Sequence, residues 1–232
     1  MKDLSRIKAI LIDVDNTLID FMKMKGRAIE AAIDAMIDAG LPLTKEKAKE
    51  EIFKIYDEKG IEYQKVFDDL LLRILGKIDF KILAAGVVAY RRIKEGYVKP
   101  YPGVVFTLTE LRKRGFKLCV ISDAPAFQVW TRLVGMNLHH HFDKVISFEE
   151  SKVRKPHELP FKLALEELNL KPGEVLMVGD DPRRDIAGAK KLGIVTVLAK
   201  YGQVFQTDRT KPEQIPDYEI NDIRELLDIL PK

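Results

Sequence analysis

The sequence predicts an α/β fold: a parallel sheet with flanking helices, and an all-helical segment inserted after the first strand. Three observations carry this. Short, almost wholly apolar runs at residues 7–12, 116–121 and 174–178 have the composition of parallel strands covered on both faces. From about residue 100 onward, strand-like and helix-period segments alternate. Between residues 22 and 98 apolar residues recur only at helical spacing.

The first strand, residues 7–12, runs directly into Asp13. In the segment that follows, Ile29, Ile33, Met36 and Ile37 make one stripe, and Ile52, Phe53 and Tyr56 a second. Val66, Phe67, Leu70, Leu71 and Ile74 make a third, and Ile82, Leu83, Val87, Tyr90 and Ile93 a fourth, so a bundle of about four helices is expected. Gly40, Pro42 and Thr44, then Gly60, then Gly76 with Asp79 supply stop and N-cap signals at the junctions. Beyond Pro100 and Pro102, helices are expected near 104–114, 125–134, 158–168 and 183–192. Strands are expected at 116–121, 144–147, 174–178 and 194–198. Residues 202–217, with Pro212 and Pro216, read as a surface loop before an edge strand at Tyr218 and Ile220 and a closing helix. The core is thus expected to comprise residues 1–20 and 99–232, with residues 21–98 as the inserted domain.

At roughly 150 residues per domain, 232 residues suit such a core plus a small second domain. A chain 46% hydrophobic and 32% charged carries a real core, which excludes disorder and collagen-like repeats. The net charge of +3 comes from interspersed Lys and Glu, so no nucleic-acid partner is expected. Cys119, the single cysteine, lies in the apolar run FKLCVIS and reads as a small buried thiol. The N-terminal apolar stretch is too short for a signal peptide and no run approaches ~18 apolar residues, so a cytoplasmic protein without a membrane partner is expected. Nothing in the sequence speaks to oligomeric state.

In DVDNTL, Asp13, Asp15 and Thr17 follow the first strand, and the two-residue side-chain period lets both carboxylates face one way. Alone, this pattern also fits turn chemistry, in which Asp and Thr satisfy backbone N–H groups. In a parallel sheet, however, three further features reach the same carboxyl edge, where open α/β sheets bind ligands. These are Ser122 after the strand FKLCVI, Lys155 in RKP, and Asp180 with Asp185 in GDDPRRD after VLMV. Acid, hydroxyl, base and acid in this order, around an inserted helical bundle, resemble the haloacid dehalogenase (HAD) superfamily of phosphotransferases over the whole chain.

The resemblance implies a Rossmann-like core under a type 1 helical cap. It also implies Mg²⁺-dependent hydrolysis of a phosphate monoester, with Asp13 as nucleophile, an aspartyl-phosphate intermediate, and Asp15 as acid and base. Asp13, the Asp15 backbone carbonyl and Asp180 would hold Mg²⁺, with Asp185 in support; such all-oxygen ligation suits that ion. Lys155, Ser122 and the backbone N–H groups near Asn16 and Asp123 would bind the phosphate, and Thr17 would orient the turn. Asp123 departs from the pattern, since many members carry Asn there; an anion beside phosphate repels it, so the side chain is expected to serve another partner.

The cap restricts the expected substrate to a small phosphorylated metabolite, such as a sugar, triose or glycolate-like phosphate, with hinges near residues 20–25 and 97–102. A phosphomutase or phosphonatase of the same superfamily is the alternative. A signalling receiver domain, also built on phospho-aspartate, is shorter and lacks the insertion. For Arg154, Asp181, Arg183 and Arg184, and for Lys23, Lys25, Arg27 and Arg92 in the insertion, ordinary capping or solvent exposure is the expected state. His139–His141 read as a turn, since consecutive residues rarely converge on one metal. Met22, Met24 and Met36 read as packing in the insertion, and Phe127 with Trp130 as core.

Overall fold

A computed structural model describes residues 4–208 and 210–231, so the first three residues of the N-terminal stretch lie outside it. The chain divides into two compact units, Phe21–Val98 and Met1–Asp20 with Lys99–Lys232.

The inserted unit contains α1 (Phe21–Asp38), α2 (Lys45–Lys59), α3 (Val66–Leu75) and α4 (Phe80–Tyr97). Residues from all four stripes share one core, Ile29, Ile33, Met36, Ile52, Leu70 and Ile82 among them, while Leu83, Val87 and Tyr90 of α4 are only partly buried against it. The junction signals act where they stand. The Thr44 hydroxyl accepts from the Lys47 N–H, and the Asp79 carboxylate accepts from Lys81 and Ile82, satisfying first-turn donors of α2 and α4. Lys25 is buried, contrary to the expected exposure; its ammonium stands 4.5 Å from the Tyr56 ring centre and 5.6 Å from that of Tyr90. The electron-rich faces of two tyrosines give the charge a partner that a helical-wheel reading of α1 does not reveal. Met24 and Met36 pack inside the unit, while Met22 is exposed.

The other unit is a six-stranded, wholly parallel sheet. Its strands are β1 (Ala9–Ile12), β2 (Lys117–Ile121), β3 (Lys144–Ile146), β4 (Val175–Gly179), β5 (Val195–Ala199) and β6 (Tyr218–Ile220), in the order β3-β2-β1-β4-β5-β6. Around it lie α5 (Val104–Lys113), α6 (Ala126–Gly135), α7 (Phe148–Ser151), α8 (Leu159–Leu168), α9 (Ala187–Lys191) and α10 (Leu226–Ile229). β1 and β4 are buried along their entire length because helices cover both faces, the burial that their unbroken apolar runs require. Cys119 packs in this core beside Leu11, Phe161 and Met177, and burial pushes its thiol up to about 12, so it is inert at neutral pH. No helix among the described residues is long and apolar enough to cross a membrane.

Register decides where the site lies. Ile12 pairs with Val120 on one side and Val178 on the other, so β1, β2 and β4 end level. The chain order reverses between β1 and β4, and at such a switch point the loops part to leave a crevice. Asp13 follows β1, Ser122 follows β2 and Asp180 follows β4, all at that edge.

Three elements differ from expectation. α7 is capped by Ser147, whose hydroxyl and backbone N–H engage Glu150; this S-x-x-E capping box stands in the sequence but precedes too short an apolar run to read as a helix. The helix expected at 183–192 begins instead as a π-helical turn, Pro182–Ile186, before α9. Phe127 and Trp130 are not core: α6 buries Val129, Arg132 and Leu133, and turns the two aromatic rings outward.

Candidate active site

After β1 the chain turns back on itself: the Leu18 and Ile19 N–H groups donate to the Val14 carbonyl, and the Asn16 N–H to the Ile19 carbonyl. Asn16 stands in the left-handed region at φ 61°, which its short polar side chain tolerates better than most. A second loop supports this turn. The Tyr201 hydroxyl donates to the Thr17 carbonyl at 2.9 Å, and Gly202 packs so close to the Asn16 carbonyl that any Cβ would collide with it. Residues 200–202 carry no motif, so this support is not legible in the sequence. The Thr17 hydroxyl is buried with no hydrogen-bond partner among the described residues.

Lys155 lies at the centre. Its ammonium donates to Asp13 Oδ1 at 2.6 Å, to Asp185 Oδ1 at 2.6 Å and to the Ile121 carbonyl at 3.0 Å, so all three protons are placed. Asp185 is held further by the Asp181 N–H, which donates to its Oδ2 at 3.0 Å, and by the bare backbone of Gly179, where a Cβ would strike its carboxylate. The π-helical turn sets this geometry, because it brings Asp185 back over the end of β4. Ligand oxygens of Asp13, Asp180 and Asp185 lie within 4.8 Å of one another, and all three residues are buried.

Three carboxylates therefore face one ammonium, and the charge imbalance appears in their protonation. Burial, the largest cause, raises Asp13 to about 7; Lys155 pulls it down, while Asp185 and Asp15 add repulsion. Asp180 is raised further, to about 9, by burial and then by Asp185 and Asp13. Burial alone would lower Lys155, but the facing carboxylates hold it above the ordinary lysine range. A pocket that keeps carboxylates from ionising lacks positive charge, and its donors are hard oxygens at close range; this donor set fits Mg²⁺.

Asp123 uses both carboxylate oxygens within the protein: Oδ1 accepts from the Lys155 N–H at 2.8 Å, and Oδ2 from Arg184 Nη1 at 3.2 Å. Arg184 also donates through Nε to Asp181 at 2.9 Å, tying the loop after β2 to the loops carrying Lys155 and Asp185. Capping alone does not describe Arg184, although Asp181 does cap the π turn by accepting from the Arg183 N–H. Ser122 is buried after β2, and its hydroxyl accepts from the Ala124 N–H at 3.2 Å. Asp15 Oδ2 lies 3.1 Å from Arg132 Nη1. The period of α6 marks Arg132 as inward-facing, but an arginine on an apolar stripe gives no hint of its partner.

A family model for haloacid dehalogenase-like hydrolases matches residues 7–193. The chain belongs to this family. The glyceraldehyde 3-phosphate phosphatase of Methanocaldococcus jannaschii is 39% identical over 224 residues, covering 97% of each chain. The enzyme of the same name from Methanopyrus kandleri is 40% identical over 226 residues, again with 97% of each chain covered. Among solved structures, a HAD phosphatase from Thermococcus onnurineus shares the fold with a TM-score of 0.69 at 24% identity, covering 96% of this chain and 97% of that one. This HAD-like hydrolase is accordingly a phosphatase acting on phosphate monoesters.

Proposed function

We propose that the enzyme is an Mg²⁺-dependent phosphatase of a three-carbon phosphate ester, glyceraldehyde 3-phosphate being the leading substrate, and that it works through an aspartyl-phosphate on Asp13. The observation that carries the reading is the buried cluster itself: Asp13, aimed by Lys155, beside the buried carboxylates of Asp180 and Asp185. The substrate class is supported by two archaeal relatives of that name, matched over nearly the full length of both chains. Lone, buried Cys119 suits a reducing compartment, and the proposal places the enzyme in the cytoplasm.

Asp13 Oδ1 is fixed by Lys155, which leaves the other carboxylate oxygen to attack phosphorus in line with the departing ester oxygen. Asp15 gives that oxygen a proton and later takes one from the water that splits the acyl phosphate. Ser122 and backbone N–H groups of the 13–17 and 122–124 turns hold the equatorial phosphate oxygens, and Lys155 offsets charge on both nucleophile and phosphate. Asp123 and Arg184 keep Lys155 in place by holding its backbone. Mg²⁺, held by Asp13, Asp180 and the Asp15 backbone carbonyl with Asp185 in support, would screen the repulsion between carboxylate and phosphate. The helical unit 21–98 serves as the cap that excludes water during attack.

The test is phosphate release from a panel of small esters, including glyceraldehyde 3-phosphate, phosphoglycolate and hexose phosphates, with Mg²⁺ or with chelator. Metal-dependent release, fastest on glyceraldehyde 3-phosphate, is expected. Phosphate transfer between sugar positions without release would favour a mutase, and release from a phosphonate alone would favour a phosphonatase.

A further inference from the structure

An arginine is a poor occupant for the core face of a helix. Arg132 is only 2% exposed and lies on α6 between fully buried Val129 and Leu133, while the opposite face turns Phe127 and Trp130 to the outside. Any apolar side chain would pack that stripe without needing a counter-charge. A guanidinium carried into such a place is tolerated only against a fixed anion. The structure supplies that anion from the loop after β1: Asp15 Oδ2, 3.1 Å from Nη1.

We propose that Arg132 is a positioning residue for proton transfer. Its guanidinium pairs with the Asp15 carboxylate and fixes where that carboxylate stands. The inference rests on the proposed role of Asp15 as acid and base. In the first step an Asp13 oxygen bonds to phosphorus, the P–O bond to the alcohol breaks, and the proton on the Asp15 carboxyl group goes to the departing oxygen. In the second, water bonds to phosphorus, its proton returns to Asp15, and the bond from phosphorus to Asp13 breaks, which restores both carboxyl groups.

Both transfers need the donor within about 2.6–3.2 Å of the reacting oxygen. Asp15 immediately precedes left-handed Asn16 in the turn after β1, and its side chain is 24% exposed, so burial alone does not fix its rotamer. A guanidinium carried on a helix holds the carboxylate it pairs with in one place.

The proposal is tested by leaving-group dependence, which a merely structural role would not create. An alkyl phosphate such as glyceraldehyde 3-phosphate needs its departing oxygen protonated; 4-nitrophenyl phosphate, with a stable phenolate, needs this little. kcat/KM for both esters is measured with Mg²⁺ in wild type, Arg132→Met, Arg132→Lys, Asp15→Asn and Asp13→Asn. Arg132→Met is expected to lose about 100-fold on the alkyl ester and less than about 10-fold on the aryl ester, with Lys restoring about 10-fold of the alkyl loss, the scale of general acid catalysis. Equal losses on both esters, or no loss on the alkyl ester, overturn the proposal. Should Arg132→Met lack the wild-type circular dichroism spectrum, Arg132→Gln is read by the same criterion. Asp15→Asn separates the two readings. If it spares the alkyl ester, the acid role itself fails. If it is selective while Arg132→Met is not, only the positioning role fails.

Discussion

Replacing Asp180 with Asn should stabilise the metal-free protein at alkaline pH while abolishing its activity. The size of the effect follows from the charge imbalance. Lys155 donates to Asp13 and Asp185 at 2.6 Å each, and Asp180, the third carboxylate, has its pKa raised from 3.8 to about 9. A folded-state pKa above the unfolded one means that between those values the native state binds a proton the unfolded chain does not. Stability from this group is therefore present at low pH and is lost as pH rises towards 9. Each pH unit within that window costs at most about 1.4 kcal/mol, so the three units from pH 5 to pH 8 cost at most about 4 kcal/mol. Asn stands in for the protonated acid and removes the penalty, so the variant's advantage over wild type should be small at pH 5, at most about 1–2 kcal/mol. At pH 8 the advantage should be larger by about 2–4 kcal/mol, or about 5–15 °C in Tm for a chain of this size. Thermal melts in chelator at the two pH values read this directly. Added Mg²⁺ should raise wild type towards the variant at pH 8 and leave the variant almost unmoved. A Tm difference that is the same at both pH values, or a variant less stable at pH 8, would refute the reasoning.

Other perturbations separate the remaining parts of the site. Lys155→Met removes the counter-charge of two buried carboxylates; it should cost about 3–5 kcal/mol of stability in chelator and about 10²–10³-fold in kcat, measured by melts and by phosphate release. Gly202→Ala drives a methyl group into the Asn16 carbonyl and should lower kcat by more than about 10-fold, whereas Tyr201→Phe, losing one bond to Thr17, should cost about 1 kcal/mol of stability. Comparable kinetics for Gly202→Ala and wild type would show that the 200–202 loop does not set the turn. Asp123→Asn keeps an acceptor for the Lys155 N–H but weakens the tie to Arg184, so it should retain activity within about 10-fold, while Asp123→Ala should lose more.

The fold was legible because two periods alternate cleanly: four apolar stripes of period 3.6 in residues 21–98, and doubly covered strands thereafter. The site was legible as far as sheet topology alone could carry it, since Asp13, Ser122 and Asp180 each end a strand and parallel pairing makes those ends meet. What stayed hidden depends on contacts between distant segments. No local pattern shows that Gly202 must touch Asn16, that Arg132 meets Asp15 across more than a hundred residues, or that Asp123 pairs with Arg184. The outward turn of Phe127 and Trp130 was hidden for a related reason: on a short helix with apolar residues on both faces, hydrophobicity does not say which face is covered. Buried Lys25 was missed because charge normally marks the solvent side, and its compensation comes from tyrosines on α2 and α4.

The most direct measurement is chemical capture of the acyl phosphate. Enzyme turning over glyceraldehyde 3-phosphate with Mg²⁺ is quenched and reduced with borohydride, which converts an aspartyl-phosphate into homoserine, and the peptides are read by mass spectrometry. Homoserine at position 13, absent without substrate and absent in Asp13→Asn, is the predicted result. Turnover that leaves Asp13 unmodified, or that marks Asp15, Asp180 or Asp185 instead, would contradict the assignment of Asp13 as nucleophile.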